Sequence, residues 1–341
     1  MDDITEEINK LKKEINNLKK MNDKQEKLIN SHQTILDILF QDFDLKPKGV
    51  LNYSQRLCIE LLDFVDNVCK KHDLEWWLDY GNLLGAVRHK GFIPWDDDVD
   101  FMMLRKDYDK LLQVADKEFT YPYFFQTTYS DEGFCRGHAQ IRDERTSGFS
   151  IEEATRKYSR GISIDVFVLD GYIENPVPRF FHRLTTQILK KSIRAYLERG
   201  LPHRKFSKRL LSFISTPVYS LVDYRKAFKL YENMFRSIDQ DTHRRVATVS
   251  WIYTHRKNID PYEAYSEVVW LPFEDRLFPA PKDYHQVLLD TFGDDYMVPQ
   301  QLPSVHSKHY IDAYRSYREV APELLEHPER YEERINLVYG Q

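Results

Sequence analysis

Residues 76–103 most limit what this chain can fold into. An apolar segment, Trp76-Trp77-Leu78, runs into Gly81-Asn82 and then a short helical pattern from Leu83 to Arg88. Next comes Pro94-Trp95-Asp96-Asp97-Asp98-Val99-Asp100, with four aspartates inside five residues and an apolar run behind them. Val99 to Met103 reads as a short strand. Side chains two apart on a strand share a face, so Asp98 and Asp100 can reach one hard cation together. Mg²⁺ is held by one or two carboxylates plus substrate phosphates, an arrangement suited to phosphoryl transfer. A solvated turn is the bland alternative, and Pro94-Trp95-Asp96-Asp97 has the composition of one. Gly81-Asn82 opens the helix, whose first N–H groups form a ready phosphate site. Glycine suits that position because a Cβ would block close approach. Arg88 supplies a nearby positive charge.

An anion site and a metal site on either side of one loop is the arrangement of a nucleotidyltransferase-type site. Tyr80 to His89 together with Gly91 to Asp100 closely resembles the signature of the LicD family, which fukutin and fukutin-related protein share. Asn82 stands where that superfamily often has Ser and LicD proteins often have Thr. All three are small polar residues that can cap a helix. Gly161 to Asp170 resembles the family's second strand. Its one central carboxylate, Asp165, is costly in an apolar strand unless paired or metal-bound. A salt bridge to an arginine is the alternative. Phe273 to Tyr284 and Phe292 to Pro299 resemble a third block, so the likeness runs from about Asn52 to Pro303.

The resemblance implies transfer of phosphocholine or a polyol phosphate from a CDP-activated donor to a cell-surface glycan or its lipid-linked precursor. It implies Mg²⁺ or Mn²⁺ on Asp98, Asp100 and Asp165. One of Asp96 and Asp97 is expected to act as general base or to support the metal ligands from behind, and Asp96 is preferred as the catalytic residue because the family pattern spaces acids as Asp96-x-Asp98-x-Asp100. Gly81, Asn82, Arg88 and Arg142 are the candidate donor-binding residues. For Arg136 and Arg142 a solvated strand edge is the competing reading. Two other classes stay open: a nucleotidyltransferase acting on a phosphosugar or small molecule, and a non-catalytic coiled-coil scaffold.

The first 45 residues differ from the rest. Ile4, Ile8, Leu11, Ile15 and Leu18 recur at spacings of 4, 3, 4 and 3 among Lys, Glu and Asn. With Ile8 and Ile15 at a and Leu11 and Leu18 at d, this is the seam of a parallel two-stranded coiled coil. Asn22, Ile29 and Leu36 continue the a positions and Gln25 a d position. A homo-oligomer through residues 1–40 is expected, with a single amphipathic helix packed on its own domain as the alternative. Asp44 to Gly49 reads as a linker.

The expected fold is α/β (α+β): a nucleotidyltransferase-like mixed sheet flanked by helices, then a largely helical second half. The divisions are a coiled coil over 1–45, a catalytic core over 46–175, a basic helical region over 176–260 and a closing part over 261–341. Helices are expected from Ser54, as cap, to Lys71, from Arg105 to Lys117 and from Tyr224 to Ile238. Strands are expected over Phe134–Arg142 and Gly161–Leu169.

Arg179 to Arg209 holds ten Lys and Arg against one acid, Glu198, with Phe180, Phe181, Leu184, Ile188, Leu189, Ile193 and Tyr196 interleaved. A basic amphipathic helix of this kind suits an anionic membrane surface, RNA being the weaker option and a merely solvated basic face the plain one. Pro217 is expected to break it into a hairpin. A net charge of −5 gives no overall case for nucleic acid. Three cysteines, two of them on one helix, fit a reducing compartment. With no apolar leader and no span of 18 apolar residues in view, the expected location is cytoplasmic, peripheral on the inner membrane face.

Overall fold

The computed structural model describes residues 11–25 apart from 13, 16 and 23, and then 49–199, 206–238, 244–250, 259–299 and 309–339. The chain divides into two units, Met1–Lys46 and Pro47–Gln341. The first is helical at its described positions, with Leu11, Ile15 and Leu18 exposed. Ile4, Ile8, Ile29 and Leu36, the rest of the heptad reading, lie outside the described residues.

The second unit opens with α1 (Val50–Lys71). It starts four residues before Ser54, directly after Gly49, and Ser54 is buried inside it. Its apolar stripe, Cys58, Leu61, Leu62, Val65 and Val68, packs on the sheet at helical spacing. Then come β1 (Trp77–Leu78), α2 (Tyr80–Arg88), β2 (Asp100–Leu104), α3 (Arg105–Glu118), β3 (Tyr123–Gln126), β4 (Ala139–Asp143), β5 (Ser147–Phe149) and β6 (Ile162–Gly171). The main sheet runs β1-β2-β6-β4-β3. β2 and β6 are parallel and the other pairs antiparallel, so the sheet is mixed, in an α+β fold. β6 is almost wholly buried, as its Val, Ile and Phe content requires of a central strand. At its far end Arg105 forms a buried two-pronged pair with Asp170, at 2.7 and 2.9 Å, which ties the start of α3 to β6.

Three helices follow: α4 (Pro176–Leu197), α5 (Phe206–Leu221) and α6 (Tyr224–Arg236). The break between α4 and α5 falls before Phe206, not at Pro217, which sits inside α5. The helical second half also carries short strands. Residues 245–281 carry β7 (Arg245–Ala247), β8 (Ile259–Pro261), β9 (Val268–Phe273) and β10 (Arg276–Pro281). Their β-branched and aromatic residues pair edge to edge, β7 extending the main sheet from β6. α7 (Tyr284–Phe292), β11 (Tyr310–Asp312) paired with β5, α8 (Tyr317–Glu326) and α9 (Glu329–Tyr339) close the chain. One large core lies around β2 and β6. A second joins α4 and α6 to β7 and β8 through Ile193, Tyr231, Phe235, Ala247 and Ile259.

Candidate active site

Sheet register builds the floor of the site. Asp100 of β2 lies opposite Asp165 of β6, and Asp165 lies opposite Gln140 of β4. Cross-strand partners share a face, so three neighbouring strands bring two carboxylates and an amide into one row. The loop before β2 adds Asp96, Asp97 and Asp98. All six side chains line a single cleft of about 600 Å³, together with Tyr80 and Gly81.

Four of the acids are held by side chains from other elements. Asn82 is buried on α2. Its Oδ1 accepts the Asp100 N–H at 2.6 Å, and its Nδ2 donates to the Asp98 carbonyl at 3.4 Å. Gln55 of α1 donates to the Asp96 carbonyl at 2.8 Å. The Gln140 amide donates to Asp165 at 2.5 Å, and His138 Nε2 stands 3.2 Å from the other Asp165 oxygen. Arg142, fully buried, donates to Gln140 and Gln126 at 2.6 Å each, and to the Gly161 carbonyl. A line of hydrogen bonds therefore runs from Arg142 through Gln140 to Asp165.

The expected helix start is corrected. α2 begins at Tyr80, and the Asn82 N–H is spent on the Asp79 carbonyl at 3.0 Å. Asn82 thus serves the site through its side chain, as a clamp on the acidic strand. A Cβ at Gly81 would fall 2.7 Å from Asp96 Oδ2, so that carboxylate would have to turn away from its place in the cleft. Arg88 is corrected as well. Its guanidinium donates to the carbonyls of Tyr296 and Val298, at 2.8 and 3.3 Å, and it ties α2 to the C-terminal part instead of lining the cleft. Arg142 does line the cleft, with its charge turned to protein acceptors.

Electrostatics divide the acids. Burial first, then Asp98, pushes Asp96 and Asp100 well above the usual carboxylate range. Burial also pushes Asp165 upward, but His138, Arg136 and the Gln140 hydrogen bond outweigh it and hold Asp165 below that range. Carboxylates crowded this closely need a proton or a cation. Asp96, Asp97 and Asp98 can present oxygens all within 4.8 Å of one another, the one such trio among the described residues. An all-oxygen donor set is what Mg²⁺, Ca²⁺ or Mn²⁺ takes. The trio Asp98, Asp100 and Asp165 does not close in this way, but all three share the cleft.

His138, Gln140 and Gln55 are residues the sequence reading did not single out. The first two were within reach. Arg136, His138, Gln140 and Arg142 alternate with apolar or small residues at a period of two, the mark of a polar strand face. Gln55 gave no signal, since it acts across 41 residues of chain.

Fold and cleft together make a mixed-sheet α+β domain with an acidic floor. Residues 73–174 match the family profile described as LicD/FKTN/FKRP, nucleotidyltransferase domain. The likeness to the LicD family is carried by that part of the chain. Over 260 residues the chain is 25% identical to lipopolysaccharide cholinephosphotransferase LicD of Haemophilus influenzae, covering 74% of this chain and 94% of that protein. It is 35% identical to the uncharacterized protein RP689 of Rickettsia prowazekii over 158 residues, 46% of this chain and 52% of the relative. A 59-residue stretch, 17% of this chain, is 37% identical to 12% of human ribitol 5-phosphate transferase FKRP.

Proposed function

We propose that the chain is a phosphotransferase that moves a phospho-alcohol group, phosphocholine or a polyol phosphate, from a CDP-activated donor to a glycan. The observation that carries this is the convergence of Asp96, Asp97, Asp98, Asp100 and Asp165 on one cleft beside Gly81. It is joined by the likeness to two relatives whose names state such transfers, to lipopolysaccharide and of ribitol 5-phosphate. Mg²⁺ or Mn²⁺ is the cofactor we assign, held by Asp98 and Asp100 with the neighbouring acids. When bound it neutralises charge on the donor phosphates.

The protein's own groups do the rest. A glycan hydroxyl oxygen bonds to the phosphorus carrying the alcohol, the bond to the nucleoside monophosphate breaks, and CMP leaves. Asp96, facing the cleft, is the acid we assign to take the hydroxyl proton. Gln140, His138 and Arg142 hold Asp165 ionised and in place. Gly81 leaves room for the donor against Asp96.

The same reading makes the protein a peripheral one at the inner membrane face. Among the described residues no helix is long and apolar enough to cross a membrane. The segment Arg179–Arg209 supports surface contact in a different form from a plain basic helix. Val177, Phe180, Phe181, Leu184 and Ile188 of α4 and Phe213, Ile214, Val218 and Leu221 of α5 are exposed. Patches of this kind mark an interaction site. Lys190 is excluded from that face, because it is buried and donates to the Ser250 carbonyl at 2.9 Å.

The test is product analysis by mass spectrometry, with CDP-choline, CDP-glycerol and CDP-ribitol offered together, with Mg²⁺ and with chelator. Expected is CMP release and one phospho-alcohol adduct on the glycan, lost with chelator. Consumption of a nucleoside triphosphate with a phosphosugar, and none of a CDP-alcohol, would replace this reading with nucleotidyl transfer.

A further inference from the structure

A second cavity, of about 330 Å³, adjoins the acidic cleft. The two share Arg136, Glu153 and His309 as a common wall. Its size is at the low end for small-molecule sites. Its charge is the reverse of the cleft's. Arg136, Arg156, Lys190 and Arg194 line it against two acids, Glu153 and Glu198. Arg136 pairs with Glu153 at 3.1 Å, whereas Arg156 and Arg194 both lean on Glu198, at 3.8 and 3.5 Å. Four cations to two carboxylates leave an excess of two positive charges. Lys190 spends one donor on the Ser250 carbonyl, which the Tyr231 hydroxyl also reaches at 2.5 Å, so its position on the wall is fixed. Burial pulls Lys190 down to about 8, which leaves it charged at neutral pH.

From this juxtaposition we propose that the second cavity is an acceptor subsite that binds an anionic group, a phosphate or carboxylate, carried by the glycan. The inference rests on the transfer reading above and names the substrate class for it. The donor's phosphates belong over the carboxylates, where the displacement occurs. The acceptor must enter from a different side of the same phosphorus, and the adjoining cavity supplies that entry past Arg136. Arginine forks match the planar geometry of carboxylate and phosphate oxygens.

The test uses the full chain and Arg194→Gln, chosen because Arg194 is half-exposed and its loss leaves the core intact. Inorganic phosphate is titrated into metal-free protein by calorimetry. The wild type should bind it, and Arg194→Gln about tenfold more weakly, the loss expected for one charge-assisted contact. In the transfer assay a phosphorylated or uronic-acid acceptor should show a KM raised about tenfold by Arg194→Gln, with donor KM and the neutral acceptor's KM unmoved. A matching rise in donor KM would hand the cavity to the donor and overturn the proposal, as would unchanged KM values throughout. If the wild type transfers from no CDP-alcohol, the functional reading fails by itself. Phosphate binding that Arg194→Gln weakens would still support an anion subsite, and phosphate binding unaffected by the substitution would sink it.

Discussion

The acidic cleft and the α4–α5 hairpin break opposite rules. The cleft brings charge where apolar residues normally sit, and Asp96, Asp98, Asp100 and Asp165 are each held by a side chain from another element. Asn82, Gln55, Gln140 and His138 come from α1, α2 and β4 and its approach. The hairpin puts Phe181 and Phe213 in water, at 61% and 79% exposure, with the second core beneath it already filled by Ile193, Tyr231 and Phe235. Local departures of this kind are expected at functional places. The contrast teaches that the first region is built for geometry and the second for area. One changed atom should disable the cleft, while the hairpin should respond in proportion to the surface removed.

The largest effect should come from the cleft. Asp98→Asn or Asp100→Asn should cut kcat on the order of 10³-fold or more, since several kcal/mol of charge stabilisation depend on these oxygens. Far-ultraviolet circular dichroism should stay unchanged, and the thermal midpoint should hold or rise as repulsion falls. Activity within tenfold of the parent would remove these acids from the chemistry. Gly81→Ala should follow, because the new methyl and Asp96 cannot both keep their places. A variant with unchanged donor KM and kcat would refute the close-approach role.

The hairpin comes next. Phe181→Ser with Phe213→Ser should weaken binding to anionic vesicles about 10²-fold, from the area value of two aromatic side chains. Folding should be unaffected, since neither ring is in the core. Lys191→Glu, on the exposed side of α4, should add salt-sensitive weakening, because surface charges are screened within about 8–10 Å. Wild-type protein that stays off vesicles at low salt would make the exposed face a protein contact or a plain surface.

Much of the cleft was legible because its logic is local. The Asp96–Asp100 spacing, the glycine at 81 and the lone Asp165 in an apolar strand all carry their meaning within a few residues. Register across β2, β6 and β4 was not legible, so Gln140 and His138 went unnoticed although their period-two pattern was present. Arg88 misled for a related reason. Its partners are the Tyr296 and Val298 carbonyls, more than 200 residues away, and nothing near it signals them. On α4 the same apolar stripe fits a buried or an exposed face. Only the packing of Ile193 inward and Phe181 outward separates them, and Lys190 turns inward among residues that read as uniformly solvated.

Asp260 tests the seam between the two regions, where β7 and β8 join the main sheet to the helical layer. It is buried, accepts the Tyr265 hydroxyl at 3.0 Å, and burial pushes it up to about 7 despite that bond. An unfolded Asp titrates near 3.9. The native state therefore holds the extra proton, and its stabilising effect is complete below about pH 4 and lost as pH rises through about 7. Asp260→Asn should abolish that dependence. The variant should gain a few degrees of thermal midpoint on the parent between pH 6 and pH 8, on the order of 2–4 °C per kcal/mol. Parallel curves for the two proteins across that range would show that Asp260 does not set the seam's response.

The smallest effect on chemistry should come from removing residues 1–40. Every residue of the cleft lies in the unit Pro47–Gln341, so kcat and donor KM should be unchanged. Particle mass should not be. Leu11, Ile15 and Leu18 lie exposed along one helix, and an isolated helix of that length gains little stability without an apolar partner. A second copy offers the same heptad seam, with Ile at a and Leu at d, the pairing that favours two strands. Asn22 at an a position would fix the register of such a pair at some cost in stability. Light scattering should therefore report a dimer or larger for the full chain and a monomer for the truncated one. The heptad reading has a point-mutation version that keeps the chain length: Leu11→Lys with Leu18→Lys should give the same monomer by placing charge in the seam. Equal masses for all three proteins would assign the helix to its own chain and remove the second copy from the reading of the heptad seam.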